Sequence, residues 1–291
     1  MKIKLLDHKH IPGFNSGSGL QFHAENLYLT DTGSNEILVL SQNWKEVDRI
    51  PLFGTKGSLN NTEHKDLEAA TIVEINSIPR LLALGTDSHE TRHNKAVLLN
   101  LDDRTREDFT IDEFDERLKV LGLDQLNIRT AAIVLGKLVL GNRGNADTPE
   151  NNFVVTDIDL WKKQDTEEIS LLPVKYPEDT PEGILLSGMS YSPENDWLIL
   201  TFISEIDQSG NDDTPLSTTY LGLVENASRK VARKQVKINE LIDLSEISKH
   251  LYGQEIKATC IQSDKSGKIK LYMVADHQDG GTKIYKIRIK H

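Results

Sequence analysis

Short apolar runs recur along the chain, each bounded by polar residues and turn formers, and they fall into five similar groups. Each group opens with a polar residue leading a short strand. It then turns at Gly, Asn, Asp, Pro or Ser, residues that tolerate or preset tight-turn dihedrals, and returns as a second apolar strand. The opening strands are expected at residues 18–22, 68–73, 129–134, 187–191 and 257–261, and the returning ones at 27–31, 80–87, 138–143, 197–201 and 271–276. Third strands follow at 36–40, 96–101, 153–158, 219–224 and 283–289. More polar fourth strands are expected at 46–50, 108–111, 169–174 and 231–238, where alternation suits an outer edge. Helical patterning is confined to the connectors at 112–118 and 239–244.

The fifth group ends at His291 without a fourth strand, and the N-terminal run Lys2 to Leu6 can supply it. That is the ring closure of a propeller, in which the first strand of the chain completes the last blade and leaves no open seam. The pattern predicts one all-β domain over 1–291, a five-bladed β-propeller. Its blades span about 18–52, 67–111, 128–175, 186–238 and 256–291, the last completed by strand 2–9. A six-bladed ring is the alternative, its extra blade hidden between Val224 and Lys257, where no second hairpin is visible. A two-sheet sandwich would have to accommodate too many strands.

Composition narrows the partners. The chain has 34 Lys and Arg against 45 Asp and Glu, a net charge of −11. That balance disfavours nucleic acid and anionic membranes, which reward clustered cations, and leaves a small molecule in the channel as the expected partner. Cys260 is the single cysteine, so an intrachain disulfide is excluded, and its apolar surroundings make it a core residue. No apolar stretch reads as a secretory signal or a membrane span, which predicts a cytoplasmic protein.

Chemistry is expected where the inner strands start, because in a ring of blades those positions face one channel mouth. They are Ser18, Glu68, Arg129, Ser187 and Lys257. The ends of the second strands add Asp31, Asp87, Asn142, Arg143, Glu205 and Asp276, with His277 and His89 just beyond. Three readings of this set stand open. It is an ion-pair network that fixes the blades; or a polar pocket whose Arg129, Arg143 and Lys257 hold an anionic or polyhydroxylated ligand; or a Ca²⁺ site built from Glu68, Asp31, Asp87, Asn142 and Asp276.

Other signals fail on context. The loop Asp207 to Asp213 spaces its oxygens like a calcium loop, but it has Asp212 at the glycine position and Thr218 at the closing glutamate position. His89 and His93 lie four apart in a polar turn rather than on a helix. Neither a phosphate-cradling glycine loop nor a nucleophile elbow has its required setting.

Three stretches carry a family likeness: Asp66-Leu67-Glu68-Ala69-Ala70 with Leu81 to Thr86, Leu140-Gly141-Asn142-Arg143-Gly144-Asn145, and Leu186-Ser187-Gly188-Met189. Here the sequence resembles a group of uncharacterised bacterial propellers and, more distantly, the esterase-like propeller associated with phytases. The second resemblance implies hydrolysis of an ester or phosphoester, although Ala69 stands where that group has glycine. Six-bladed lactonases with a channel calcium are an analogy of fold. The functional expectation is a channel-mouth ligand site, with a metal-assisted hydrolase or a structural or protein-interaction scaffold as alternatives.

Overall fold

The computed structural model describes residues 1–14, 17–31, 36–52, 67–85, 95–123, 126–144, 150–205, 217–276 and 281–291. The chain enters as β1 (Lys2–Ile11) and then builds its first blade from β2 (Gly17–His23), β3 (Asn26–Asp31), β4 (Glu36–Ser41) and β5 (Glu46–Pro51). Blade 2 is β6 (Ala69–Ile75), β7 (Ile78–Gly85), β8 (Lys95–Asn100) and β9 (Arg106–Thr110), followed by helix α1 (Asp112–Val120). Blade 3 is β10 (Ile128–Val134), β11 (Lys137–Asn142), β12 (Asn152–Asp157) and β13 (Ser170–Lys175). Blade 4 holds β14 (Ile184–Ser192), β15 (Trp197–Glu205) and β16 (Ser217–Glu225), then α2 (Ala227–Ala232), β17 (Val236–Lys237) and β18 (Glu240–Asp243). Blade 5 is β19 (Ile256–Lys265), β20 (Lys268–Asp276) and β21 (Thr282–Lys290).

Each blade is an antiparallel meander, and the inner strands β2, β6, β10, β14 and β19 each contact the next around the ring. Five blades are therefore observed. The seam lies where the sequence placed it, with β1 pairing antiparallel to β21 from Lys2 opposite Lys290 to Ile11 opposite Thr282.

One expectation at the edge of blade 4 is overturned. Residues 231–238 do not form its fourth strand, and of 239–244 only Leu244 is helical, as the start of the 3₁₀ turn Leu244–Glu246. Glu240–Asp243 pairs with β16 as the fourth strand, while Val236–Lys237 runs parallel to β13 of blade 3. Residues 227–232 are helical because their first turn is capped from a distance. Asp196, in the β14–β15 turn, accepts the Ala227 N–H on its backbone oxygen (2.9 Å) and the Ser228 N–H on its carboxylate (2.8 Å). Such a cap satisfies the orphan donors of a helix start, and no local motif announces it.

Among the described residues the apolar core forms five clusters, one between each pair of neighbouring blades. Helix α1 adds Phe114 and Leu118 to the cluster between blades 2 and 3, and α2 adds Ala227 and Val231 to that between blades 3 and 4. Cys260 is buried in the cluster between blades 5 and 1, and burial pushes its thiol pKa up, so it behaves as a core residue.

Candidate functional site

The five inner-strand positions singled out in the sequence share one backbone feature, a β-bulge. In four blades the pairing register shifts by one residue across Ser18, Arg129, Ser187 and Lys257 respectively. In blade 2, Glu68 donates its N–H to the Leu84 oxygen (3.0 Å) while Ala69 is also opposite Leu84, so two residues again face one. A bulge leaves its extra residue out of the ladder and re-aims its side chain. It accounts for five polar or charged residues at the start of strands that otherwise bury apolar side chains.

Small residues follow the bulges because the inner strands converge. A methyl group on Gly188 would lie 2.5 Å from Thr201 Oγ1 and 3.3 Å from the Thr259 nitrogen of the next blade. One on Gly19 would meet Thr30 and, at 2.9 Å, Ala70 of the next blade.

The bulge side chains fall into distinct arrangements. Glu68, 8% exposed, accepts a hydrogen bond from Arg129 Nη1 in an ion pair that links blades 2 and 3. Arg129 Nε donates to Asn127 Oδ1 (2.5 Å), and Asn142 Oδ1 accepts the Asn127 N–H (2.7 Å). The Arg143 N–H bonds the Asn127 oxygen (2.9 Å). On blade 5, Lys257 donates to Glu255 (2.6 Å) and lies 3.8 Å from an Asp276 oxygen. Burial raises the Glu255 pKa, but the Lys257 hydrogen bond and charge, the neighbouring Ser217 and the Arg143 charge together hold it below its ordinary value. Arg143 thus reaches electrostatically from blade 3 to the blade 5 group.

The two serines serve the frame. Ser18 Oγ donates to the Leu67 oxygen (2.9 Å), and Ser187 Oγ donates to Thr201 Oγ1 (3.0 Å). Asp31 is buried at the end of β3, opposite Gly17. Asp87, His277 and His89 fall outside the described residues, as do the 207–213 loop and the Glu205 side chain. Sequence reasoning missed Asn127 and Glu255. Each stands two residues before a bulge cation, and that repeated spacing is the signal that was there to be read.

The donor set fits Ca²⁺ poorly. Glu68 is bonded to the Arg129 guanidinium, and a cation on the same carboxylate would face that positive charge. Among the described residues no three His, Cys, Asp or Glu side chains gather as metal ligands.

The opposite end of the channel holds a cavity of about 500 Å³ that the sequence reading did not anticipate. All five inner strands line it, through residues such as Gln21, Thr71, Ala132, Ser190 and Ile261, and among the described residues its wall has no Lys, Arg, Asp or Glu.

A family model matches residues 13–289. The chain belongs to the family of unknown function DUF6929. The family assigns no chemistry, so the esterase-like resemblance gains no support from it. No curated protein matches the chain. Among solved structures, the chain is similar to the glutaminyl cyclase of Myxococcus xanthus at 11% identity and a TM-score of 0.59, covering 99% of this chain and 96% of that one. It is also similar to a thermostable family-43 glycoside hydrolase (11% identity, TM-score 0.55, covering 96% and 92%). An α-L-arabinofuranosidase from Lactobacillus brevis is comparable (10% identity, TM-score 0.53, covering 95% and 92%). At such identities the likeness is one of propeller fold.

Proposed function

We propose that the bulge end of the channel binds a small polyhydroxylated or anionic ligand. The observation that carries this reading is the state of Arg129. Glu68 and Asn127 hold its Nη1 and Nε, its side chain is 33% exposed, and Nη2 has no hydrogen-bond partner among the described residues. A guanidinium fixed at Nε and Nη1, with Nη2 left over, is preorganised to donate to an incoming oxygen. Asn142 and Arg143 of blade 3 and Glu255 and Lys257 of blade 5 supply both donors and acceptors, a mixture that suits hydroxyl groups as well as a single anionic group.

The test is a thermal-shift and calorimetry panel of monosaccharides, sugar phosphates and hydroxycarboxylates against the wild type and Arg129→Gln. Ligand at a hundred times its Kd adds about 2.7 kcal/mol of stability. A compound that raises the wild-type Tm and binds Arg129→Gln at least about ten-fold more weakly supports the reading. A panel with no binder, or a binder indifferent to Arg129, overturns it and leaves the scaffold role. A hydrolase acting on esters or phosphoesters would in addition turn over a member of an ester and lactone panel, with activity lost in Arg129→Gln and, if metal-assisted, after EDTA.

A further inference from the structure

Blade 5 carries a concentration of positive charge that runs against the rest of the molecule. In the paired register, Lys2, Lys290 and Lys268 stand side by side across β1, β21 and β20, and Lys4, Arg288 and Lys270 form a second row one pleat further on. Directly paired residues point to the same side of a sheet, and so do residues two apart. The next row is Asp7, Lys286 and Tyr272, and Lys286 Nζ sits 5.2 Å from the centre of the Tyr272 ring, which confirms the common face. On these three strands seven cations and the single carboxylate of Asp7 thus share one face, at the end of the blade away from Lys257. An array of +6 in a chain of −11 leaves −17 on everything else.

None of the seven cations forms an ion pair among the described residues. Burial and the Lys270 charge hold the Lys286 pKa below its ordinary value, while Asp7 opposes them. Like charges directly opposite one another destabilise a sheet. Edge protection explains lysines on β1, the terminal strand of this sheet, since a charged edge resists unwanted pairing. It does not explain Lys268, Lys270, Lys286, Arg288 and Lys290, which lie on the interior strands β20 and β21.

We infer that this face of blade 5 is a docking surface for an acidic, extended segment of a partner protein. Charge complementarity selects a polyanion, and the surroundings select a narrow one. The rows span only three strands, a width that a single extended chain can cover, whereas a membrane plane or a nucleic-acid duplex presents a far broader anionic surface to a molecule whose remaining net charge is negative. The array consists of six lysines and one arginine, and the one tyrosine of its rows, Tyr272, is buried against Phe22 and Trp44 of blade 1, so it reads charge rather than stacked bases.

Fluorescence anisotropy with labelled octaglutamate tests the inference, using the full chain at low and moderate salt. Binding is expected to weaken with salt and to fall at least about ten-fold in the triple variant Lys4→Glu, Lys270→Glu, Arg288→Glu. Lys119→Glu, at an exposed position of α1, should bind as the wild type does. If the triple variant does not fold, Lys270→Glu alone carries the comparison, with a smaller expected loss. Equal binding by wild type and reversal variants overturns the inference. So does failure to bind octaglutamate, including the case in which phosphatidylserine vesicles or oligothymidylate bind instead.

Discussion

Asp115 sits on the inner side of α1 at 7% exposure, where burial raises its carboxyl to about 7, aided by the charges of Asp112 and Glu116 and opposed by Lys119. In the unfolded chain the group titrates near 3.8. Between these values the folded state binds more protons than the unfolded one, so this group makes stability fall as pH rises from about 4 to about 7, with the full penalty above that. Asp115→Asn is expected to gain about 1–3 kcal/mol over the wild type at pH 8 and little at pH 4. Urea midpoints at the two pH values measure this, and equal gains would refute the assignment. At the mouth, Glu68→Ala leaves the Arg129 guanidinium without its carboxylate. The expected loss is about 1–2 kcal/mol, moderated because Arg129 is partly exposed. Gly188→Val forces atoms into Thr201 and the neighbouring blade and should cost about 1–3 kcal/mol.

Blades are joined by latches as well as by apolar faces. Thr219, on β16, donates to the Gln254 oxygen (2.6 Å) and accepts the Ile256 N–H (3.1 Å), bracketing the start of the next inner strand. Thr282 on β21 does the same for blade 1, donating to the Phe14 oxygen (3.0 Å) and accepting the Gly17 N–H (3.1 Å). Asn151, just before β12, does it for blade 4, accepting the Leu186 N–H and donating to the Ile184 oxygen, both at 2.8 Å. Thr219→Val keeps the shape and strands a buried N–H and carbonyl, so a loss of about 1–3 kcal/mol in urea unfolding is expected. Thr219→Ser should restore most of it. These latches were not legible in the sequence, because an isolated Thr or Asn on a strand is common and its partners lie at the start of another blade. The hairpins and third strands were legible, because period-two burial and turn residues are local signals.

Ring closure makes the stability of the whole molecule depend on β1. Met1, Ile3 and Leu5 pack on the cluster between blades 4 and 5, and the Met1 amino group pairs with Glu240 of β18 at 3.0 Å. Removing residues 1–10 strips blade 5 of its outer strand and this cluster of three apolar contacts. A fall in Tm of at least about 5 °C is expected by calorimetry, with loss of soluble yield from the exposed β21 edge. The intact ring should unfold in one transition with an enthalpy near 200 kcal/mol at about 60 °C, on the scale of about 0.7 kcal/mol per residue.

The sequence by itself determined the repeat, the seam and the five polar positions at the inner-strand starts, because each is written in local alternation and turn chemistry; it favoured five blades over six, and the sheet pairing decided the count. Only the tertiary structure decided what those positions do. The bulge that re-aims them is a mismatch between two strands, and the partners of Arg129 and Lys257 come from converging backbones that no local period encodes. It likewise decided the fate of residues 227–243, since the cap that makes α2 a helix is Asp196, brought there by another hairpin. The charge on blade 5 was visible as lysines in the sequence, but its meaning required strand register, which places residues from both ends of the chain on one face.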